Sequence, residues 1–254
     1  MPSKVRTCLV LGALAVAALS GCAYERYADA VAIQSRGSFK DQPLRVVVDN
    51  RSGAVTIVVR EGAEPQVKLR AIDGPAGTKE NPRKHGAAVI QSEGENRSLS
   101  VTTTGASGPV HVWVLVPRCD GLDIRNADGP VSVDGGCGEI VIRNDSRGKQ
   151  APITVRTGAN LTGGVELRSG SGDVELIAGH ASSGRLASST PSGRTDLNAG
   201  GGTSKGVVVS KGQFGALLNG GESPWTIEAT NGDVRVTLCP EPTEPVKLKD
   251  LWPW

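Results

Sequence analysis

The polar and apolar positions of this chain follow one short figure that returns along much of its length. An apolar residue, any residue and a second apolar residue lead into a polar turn that ends in Gly, and an apolar pair two apart follows. The figure reads VVVDNRSGAVTI from Val46, LDIRNADGPVSV from Leu122 and VELRSGSGDVEL from Val165. Further copies are LASSTPSGRTDL from Leu186, VVVSKGQFGALL from Val207 and WTIEATNGDVRV from Trp225, and a copy from Ile140 carries a longer turn. Apolar residues two apart put their side chains on one face of a short strand. Asn50, Asn126 and Asn144 close the first strand, where their side chains can satisfy turn backbone groups. Gly53, Gly129, Gly172, Gly193 and Gly232 fall where the corner calls for a positive φ or a close approach.

From Leu122 onward the copies begin 18 to 25 residues apart, and 18 to 21 once the long turn after Ile140 is set aside. That spacing predicts an all-β fold, a single-chain β-solenoid of stacked coils of about 18–21 residues over 122–240. Residues 44–121 predict an N-terminal antiparallel strand region, with alternation at Gln66–Ala71, Ala88–Ser92, Leu99–Thr103 and Val110–Val116. Residues 241–254, rich in Pro and ending in Trp252 and Trp254, predict a tail or cap that stops the ladder.

Composition agrees with thin stacked layers. The chain has 254 residues, 34 of them Gly, with only four Trp, two Tyr and two Phe. So much Gly disfavours a helical bundle, and the core has to be built from Val, Ile, Leu and Ala.

Residues 1–21 stand apart. Lys4 and Arg6 precede an apolar or small run from Cys8 to Leu19, of secretory-signal length and too short for a membrane-spanning helix. The run ends in Leu19-Ser20-Gly21-Cys22, which resembles the bacterial lipobox. The resemblance implies cleavage before Cys22, diacylglycerol on its sulfur and an acyl chain such as palmitate on its amine, and so a membrane anchor in the bacterial cell envelope. Ala23, where an inner-membrane retention signal would carry Asp, favours the outer membrane in a two-membrane cell. Residues 22–43 then read as a lipidated tether. Loss of Lys4 and Arg6 leaves 26 basic against 26 acidic residues, and this neutral balance offers nothing to nucleic acid.

The N/S-x-x-G-x-V figure, the Val116-Pro117 exit and the strands before it together resemble the bacterial putative-adhesin β-solenoid family, a group of unknown function, over about 44–240. The resemblance implies a stacked β fold at the envelope and transfers no binding residues.

Of the cysteines left after Cys22, Cys119 and Cys137 each stand three residues before a copy of the figure, and are therefore candidates for a disulfide between neighbouring coils. Cys239 is left over. His85, His111 and His180 are far apart in the repeat frame and share no metal-ligand spacing. Asp120, Asp123, Asp128 and Asp134 are the densest carboxylate group, and Asp128 stands where other copies carry a turn residue. The expectation is no catalytic residue, no metal and no cofactor. The function expected is a non-enzymatic, adhesin-like binding or scaffold module for envelope glycan or protein. The alternatives are a polysaccharide-active β-solenoid enzyme, which would need stacked Asp beside a basic residue, and a purely structural assembly component.

Overall fold

The computed structural model describes residues 29–31, 33, 42–71, 86–93, 96–103, 108–136, 138–146, 150–200 and 202–240. Among them every regular element is a strand. In chain order these are β1 (Asp29–Val31), β2 (Leu44–Asn50), β3 (Val55–Val59), β4 (Gln66–Ala71), β5 (Gly86–Glu93), β6 (Asn96–Thr103) and β7 (Val110–Val116). There follow β8 (Cys119–Asn126), β9 (Val131–Asp134), β10 (Glu139–Asn144), β11 (Ile153–Arg156), β12 (Val165–Ser169) and β13 (Val174–Gly179). The last six are β14 (Gly184–Ser189), β15 (Thr195–Asn198), β16 (Ser204–Ser210), β17 (Gln213–Leu218), β18 (Pro224–Ala229) and β19 (Val234–Cys239).

The strands form two open, mixed sheets. One has nine strands in the order β1-β4-β7-β3-β9-β11-β13-β19-β15, the other ten in the order β16-β17-β14-β18-β12-β10-β8-β2-β6-β5. Each copy of the figure but the one from Val207 supplies one rung: its first inward pair lies in the ten-stranded sheet, the chain turns a corner, and its second pair lies in the nine-stranded sheet. Leu122 and Ile124 of β8 are followed in this way by Val131 and Val133 of β9, all at most 1% exposed and part of one buried cluster. Rungs pair with their neighbours in parallel, position for position, so that Val46, Leu122, Ile140, Val165, Trp225 and Leu186 form one transverse row. A single rung cannot cover its own apolar face, and the stack supplies the cover.

The rungs do not stack in chain order. From one end to the other they run β6/β7, β2/β3, β8/β9, β10/β11, β12/β13, β18/β19, β14/β15. The first rung of the chain and the last are each slotted one place in from an end. The ends carry the antiparallel pairs: β5 on β6, β4 on β7 and β1 on β4 at one, β17 on β14 and β16 on β17 at the other.

This arrangement alters four expectations. The N-terminal region is antiparallel only in part, because β6 and β7 run parallel to β2 and β3 and form a rung of their own. The copy from Val207 is no rung: it runs from within β16 through the turn to the end of β17, as one hairpin of the ten-stranded sheet. Its reversal comes at Lys211-Gly212, with Gly212 at φ +70°, a tight hairpin turn that precedes Phe214, which stands where other copies carry the corner Gly. Third, β19 is not an edge: it pairs with β13 on one side and β15 on the other. The tail or cap expected over 241–254 lies outside the described residues. Fourth, Asp29–Val31, inside the stretch read as a tether, form a strand of the nine-stranded sheet.

The corners explain the N-x-x-G signature. Gly53, Gly129, Gly172 and Gly232 all have positive φ, from +101° to +153°. Rungs approach closely here, and a Cβ on Gly129 would stand 2.5 Å from the Gly53 carbonyl oxygen. Gly193 is a corner without positive φ; its N–H donates to Thr190 Oγ1 at 3.0 Å.

Candidate binding surface

With the inner faces spent on the core, the outer faces are what the fold offers a partner. On the ten-stranded sheet, register aligns Asp49, Arg125, Arg143, Arg168, Glu228 and Ser189 in one row across six strands. The row beside it holds Val47, Asp123, Val141, Glu166, Thr226 and Ala187. Arg143 grips Glu166 with two hydrogen bonds, Nε to Oε1 at 2.9 Å and Nη2 to Oε2 at 3.0 Å. Arg168 lies 3.0 Å from the same carboxylate and 3.6 Å from Glu228. The bidentate bond from Arg143 holds the Glu166 carboxyl below its ordinary pKa, against the opposing effect of burial. Exposed pairs of this kind add little stability. Their forked geometry instead fixes where the charges stand.

The charged row runs into a groove of about 320 Å³ at the β14–β17 end. Its floor is low because Ala187 and Gly215 face each other in antiparallel register with almost no side-chain bulk. Around them stand Ser189, Ser210, Gln213, Thr226 and Glu228. Ser210 Oγ donates to Gln213 Oε1 at 3.3 Å. Glu228 is thus shared by groove and row. Most of the exposed groove surface is apolar, Phe214 included, and the hydroxyl, amide and carboxylate groups at its margin can exchange hydrogen bonds with a polyhydroxylated ligand. No histidine or cysteine lines the groove.

Among the described residues, the carboxylates, histidines and cysteines singled out by the chain's pattern are not brought together. Asp123 lies on the outer face of the ten-stranded sheet, and the corner Asp128 accepts a hydrogen bond from Ser146 Oγ at 2.9 Å. Asp134 belongs to the other sheet, 3.0 Å from Arg60 Nη1 and 4% exposed, with Oδ2 unpartnered. Asp120 is at the start of β8, beside the register shift against β2. No group of three metal-ligating side chains forms among the described residues. His111 is on β7, His180 follows β13, and His85 lies outside the described residues. Cys119 is half-buried and its thiol donates to the Gly121 carbonyl at 3.3 Å. Cys22 and Cys137 lie outside the described residues.

The groove escapes sequence reasoning because its floor is made of residues that depart from the repeat. The only signal is the small residues Ala187 and Gly215 at outward positions of the two most irregular copies.

No family model matches the chain, and no curated protein matches it. One solved structure, of a "putative cell adhesion protein" from Clostridium sporogenes, is similar to it with a TM-score of 0.45 and 8% identity, over 80% of this chain and 96% of that one.

Proposed function

We propose that this chain is a lipid-anchored β-solenoid of the bacterial cell envelope that binds glycan without catalysis, through the outer face of its ten-stranded sheet. The observation that carries the reading is the continuity of the groove with the charged row. A mostly apolar floor around Ala187 and Gly215, bordered by hydroxyl, amide and carboxylate groups, passes through Glu228 to Arg168, Glu166 and Arg143, so a linear saccharide laid across the strands meets an apolar platform with polar groups beside it and then a charged row. The lipid on Cys22 would hold the domain at the membrane, with the outer membrane favoured where there are two. Among the described residues Asp120, Asp123, Asp128 and Asp134 are dispersed, which supports the non-catalytic reading over the enzymatic alternative.

Gly215 provides the test. A Cβ there would have only the Leu186 carbonyl oxygen within 4 Å, at 3.7 Å, so a side chain is accommodated and projects into the groove. Isothermal titration of the protein with solubilised envelope glycan fractions should show binding that Gly215→Leu weakens at least tenfold with the melting temperature unchanged. Equal binding by the two proteins would falsify the assignment of this groove.

A second reading, assembly through a strand edge, is favoured by one feature. Edge strand β5 has no charged residue from Gly86 to Ser92, and uncharged edges invite pairing. Sedimentation that depends on protein concentration, abolished by Ala87→Lys, would favour it. A monomer at all concentrations would remove it.

A further inference from the structure

The nine-stranded sheet has an outer face that changes character at the end where the chain enters it. Along the row through Ser132, Thr154, Glu175 and Arg235 the exposed positions are polar, but the same row continues through Thr56 to Trp113 and then Lys68. One row over, His111 of β7 is paired with Arg70 of β4. Trp113 is partly buried, with its ring centroid 5.5 Å from that of His111 at an interplanar angle of 65°. Its inner flank packs on Val58 and Leu115, a small apolar cluster separate from the main core. Among the described residues Arg70 has no ion pair, and its Nε is buried without a partner. A Trp seated on a private apolar base and flanked by cations is an amphipathic arrangement suited to a lipid–water boundary.

The register of β1 says what lies opposite. Asp29 is paired with Leu69 and Val31 with Val67, so the chain leading back towards Cys22 leaves at the Arg70–His111 end of β4. The carboxylates of Glu61 and Glu64, in the loop before β4, are at its other end. Only seven peptide steps separate Asp29 from Cys22. Fully extended they reach about 25 Å.

We propose that this face, Trp113 with Lys68 and Arg70, rests on an anionic phospholipid surface next to the anchor. Trp113 enters the headgroup layer and the two cations meet lipid phosphates. The domain then lies against the membrane on its nine-stranded sheet, and the groove of the ten-stranded sheet faces away from it. The inference rests on the reading of Cys22 as lipidated.

Two measurements separate the failure of one reading from that of the other. Mass spectrometry of the N-terminal peptide of the full-length protein purified from membranes reports on the anchor: unmodified Cys22 overturns lipidation alone. The second measurement uses the Cys22→Ser chain, which needs no lipid, and vesicles of phosphatidylcholine with about one-third phosphatidylglycerol carrying brominated acyl chains. The face assignment expects tryptophan quenching that disappears in Trp113→Phe, and partitioning that falls on the order of tenfold in Lys68→Gln/Arg70→Gln. It also expects no partitioning to pure phosphatidylcholine. Quenching unchanged by Trp113→Phe, or partitioning unchanged by the double substitution, overturns it, as does absence of binding to the anionic vesicles. Lys68 and Arg70 are half-buried, and an unchanged melting temperature of Lys68→Gln/Arg70→Gln shows that its effect is not unfolding.

Discussion

Asn50 Nδ2 donates to Asn126 Oδ1 at 3.0 Å across strands that lie side by side although the two residues are 76 apart in the chain. The contact belongs to a buried polar row, Thr103, Asn50, Asn126, Asn144 and Ser169, at the last position of neighbouring strands of the ten-stranded sheet, which ends at Ala229 of β18. Thr103 Oγ1 donates to Asn50 Oδ1 at 2.8 Å at one end. Further along, Asn144 Nδ2 donates to the Gly129 and Ala151 carbonyls at 2.7 and 3.1 Å, and Ser169 Oγ to Ala151 at 3.2 Å. Each corner carbonyl therefore has more than one donor. Gly53 O accepts from Asn50 and Asn126, both at 3.2 Å, and Gly129 O accepts from Asn126 and Asn144.

That redundancy predicts non-additive losses. Asn126→Ala removes two donors but leaves Gly53 O and Gly129 O with one each, and should cost about 1–2 kcal/mol. Asn126→Ala/Asn144→Ala leaves Gly129 O with no side-chain donor, and should exceed the sum of the single losses by about 1 kcal/mol or more. Urea unfolding of the four proteins checks this; simple additivity would show that the row does not act as a unit.

Trp225 makes the opposite kind of demand. It is fully buried in a core otherwise built of aliphatic chains, and its Nε1 donates to the Gly163 carbonyl at 3.1 Å. A Cβ on Gly184 would lie 2.5 Å from that nitrogen. Gly184→Ala should therefore destabilise by about 1–3 kcal/mol through overpacking. In a Trp225→Leu background the indole is gone, and Gly184→Ala should cost less than half as much. Thermal unfolding of the double-mutant set decides it, and an equal cost in both backgrounds would rule out the clash.

The rung, the corner and the aliphatic core were legible because they are local: Leu122, Ile124, Asn126, Gly129, Val131 and Val133 carry one rung within twelve residues. What the sequence did not carry was the order of stacking. Val234 and Val236 lie beside Val174 and Leu176, but would fit as well beside any aliphatic pair. The figure that makes the rungs interchangeable hides which of them are neighbours. The surfaces were illegible for a related reason. Arg125, Arg143 and Arg168 read as scattered exposed charges until parallel register aligns them. Trp113 and Lys68 are 45 residues apart and meet only through β4–β7 pairing.

The proposed bridge between Cys119 and Cys137 has a direct chemical readout. Oxidation would exchange the contact of the Cys119 thiol with the Gly121 carbonyl for a covalent link closing a short loop, worth about 3 kcal/mol in the chain-entropy model. Non-reducing peptide mapping of protein exported to an oxidising compartment should recover the two cysteines in one linked peptide, and a reductant should lower the melting temperature. Recovery of both as free thiols removes the bridge.

His111 gives stability a dependence on pH. Burial, and then the nearby Arg70 charge, hold its imidazole below the ordinary value of 6.5. The unfolded chain therefore binds the proton more readily than the folded one. The contribution is fully present above about 6.5 and is lost as pH falls through the depressed folded value. His111→Gln should flatten the stability profile in that window, and Arg70→Gln should narrow the window by raising the folded pKa. Denaturant midpoints across mildly acidic pH, with the imidazole titration followed by NMR, check both. A slope unchanged in His111→Gln would assign it to other groups.

The order of the rungs predicts which parts of the C-terminal half can be removed. Although it comes last in the chain, the β18/β19 rung is flanked by neighbours in both sheets, so ending the protein after Ser223 takes out an interior layer and separates β14/β15 from β12/β13. It also removes Trp225. The β16–β17 hairpin lies at the end of the stack, and its two ends are already joined: Asn219 N–H donates to Thr203 O at 2.9 Å and Thr203 N–H to Asn219 Oδ1 at 2.8 Å. Replacing 204–218 with one or two glycines between Thr203 and Asn219 uncovers Leu186 and forfeits the buried Ala216 and Leu218, but leaves every rung paired. The excised protein should keep a cooperative unfolding transition at a lower midpoint, whereas the chain ending at Ser223 should show none. Circular dichroism against urea distinguishes them. Were the truncated chain to unfold as cooperatively as the excised one, β18/β19 would be a peripheral layer and would not stand between β12/β13 and β14/β15.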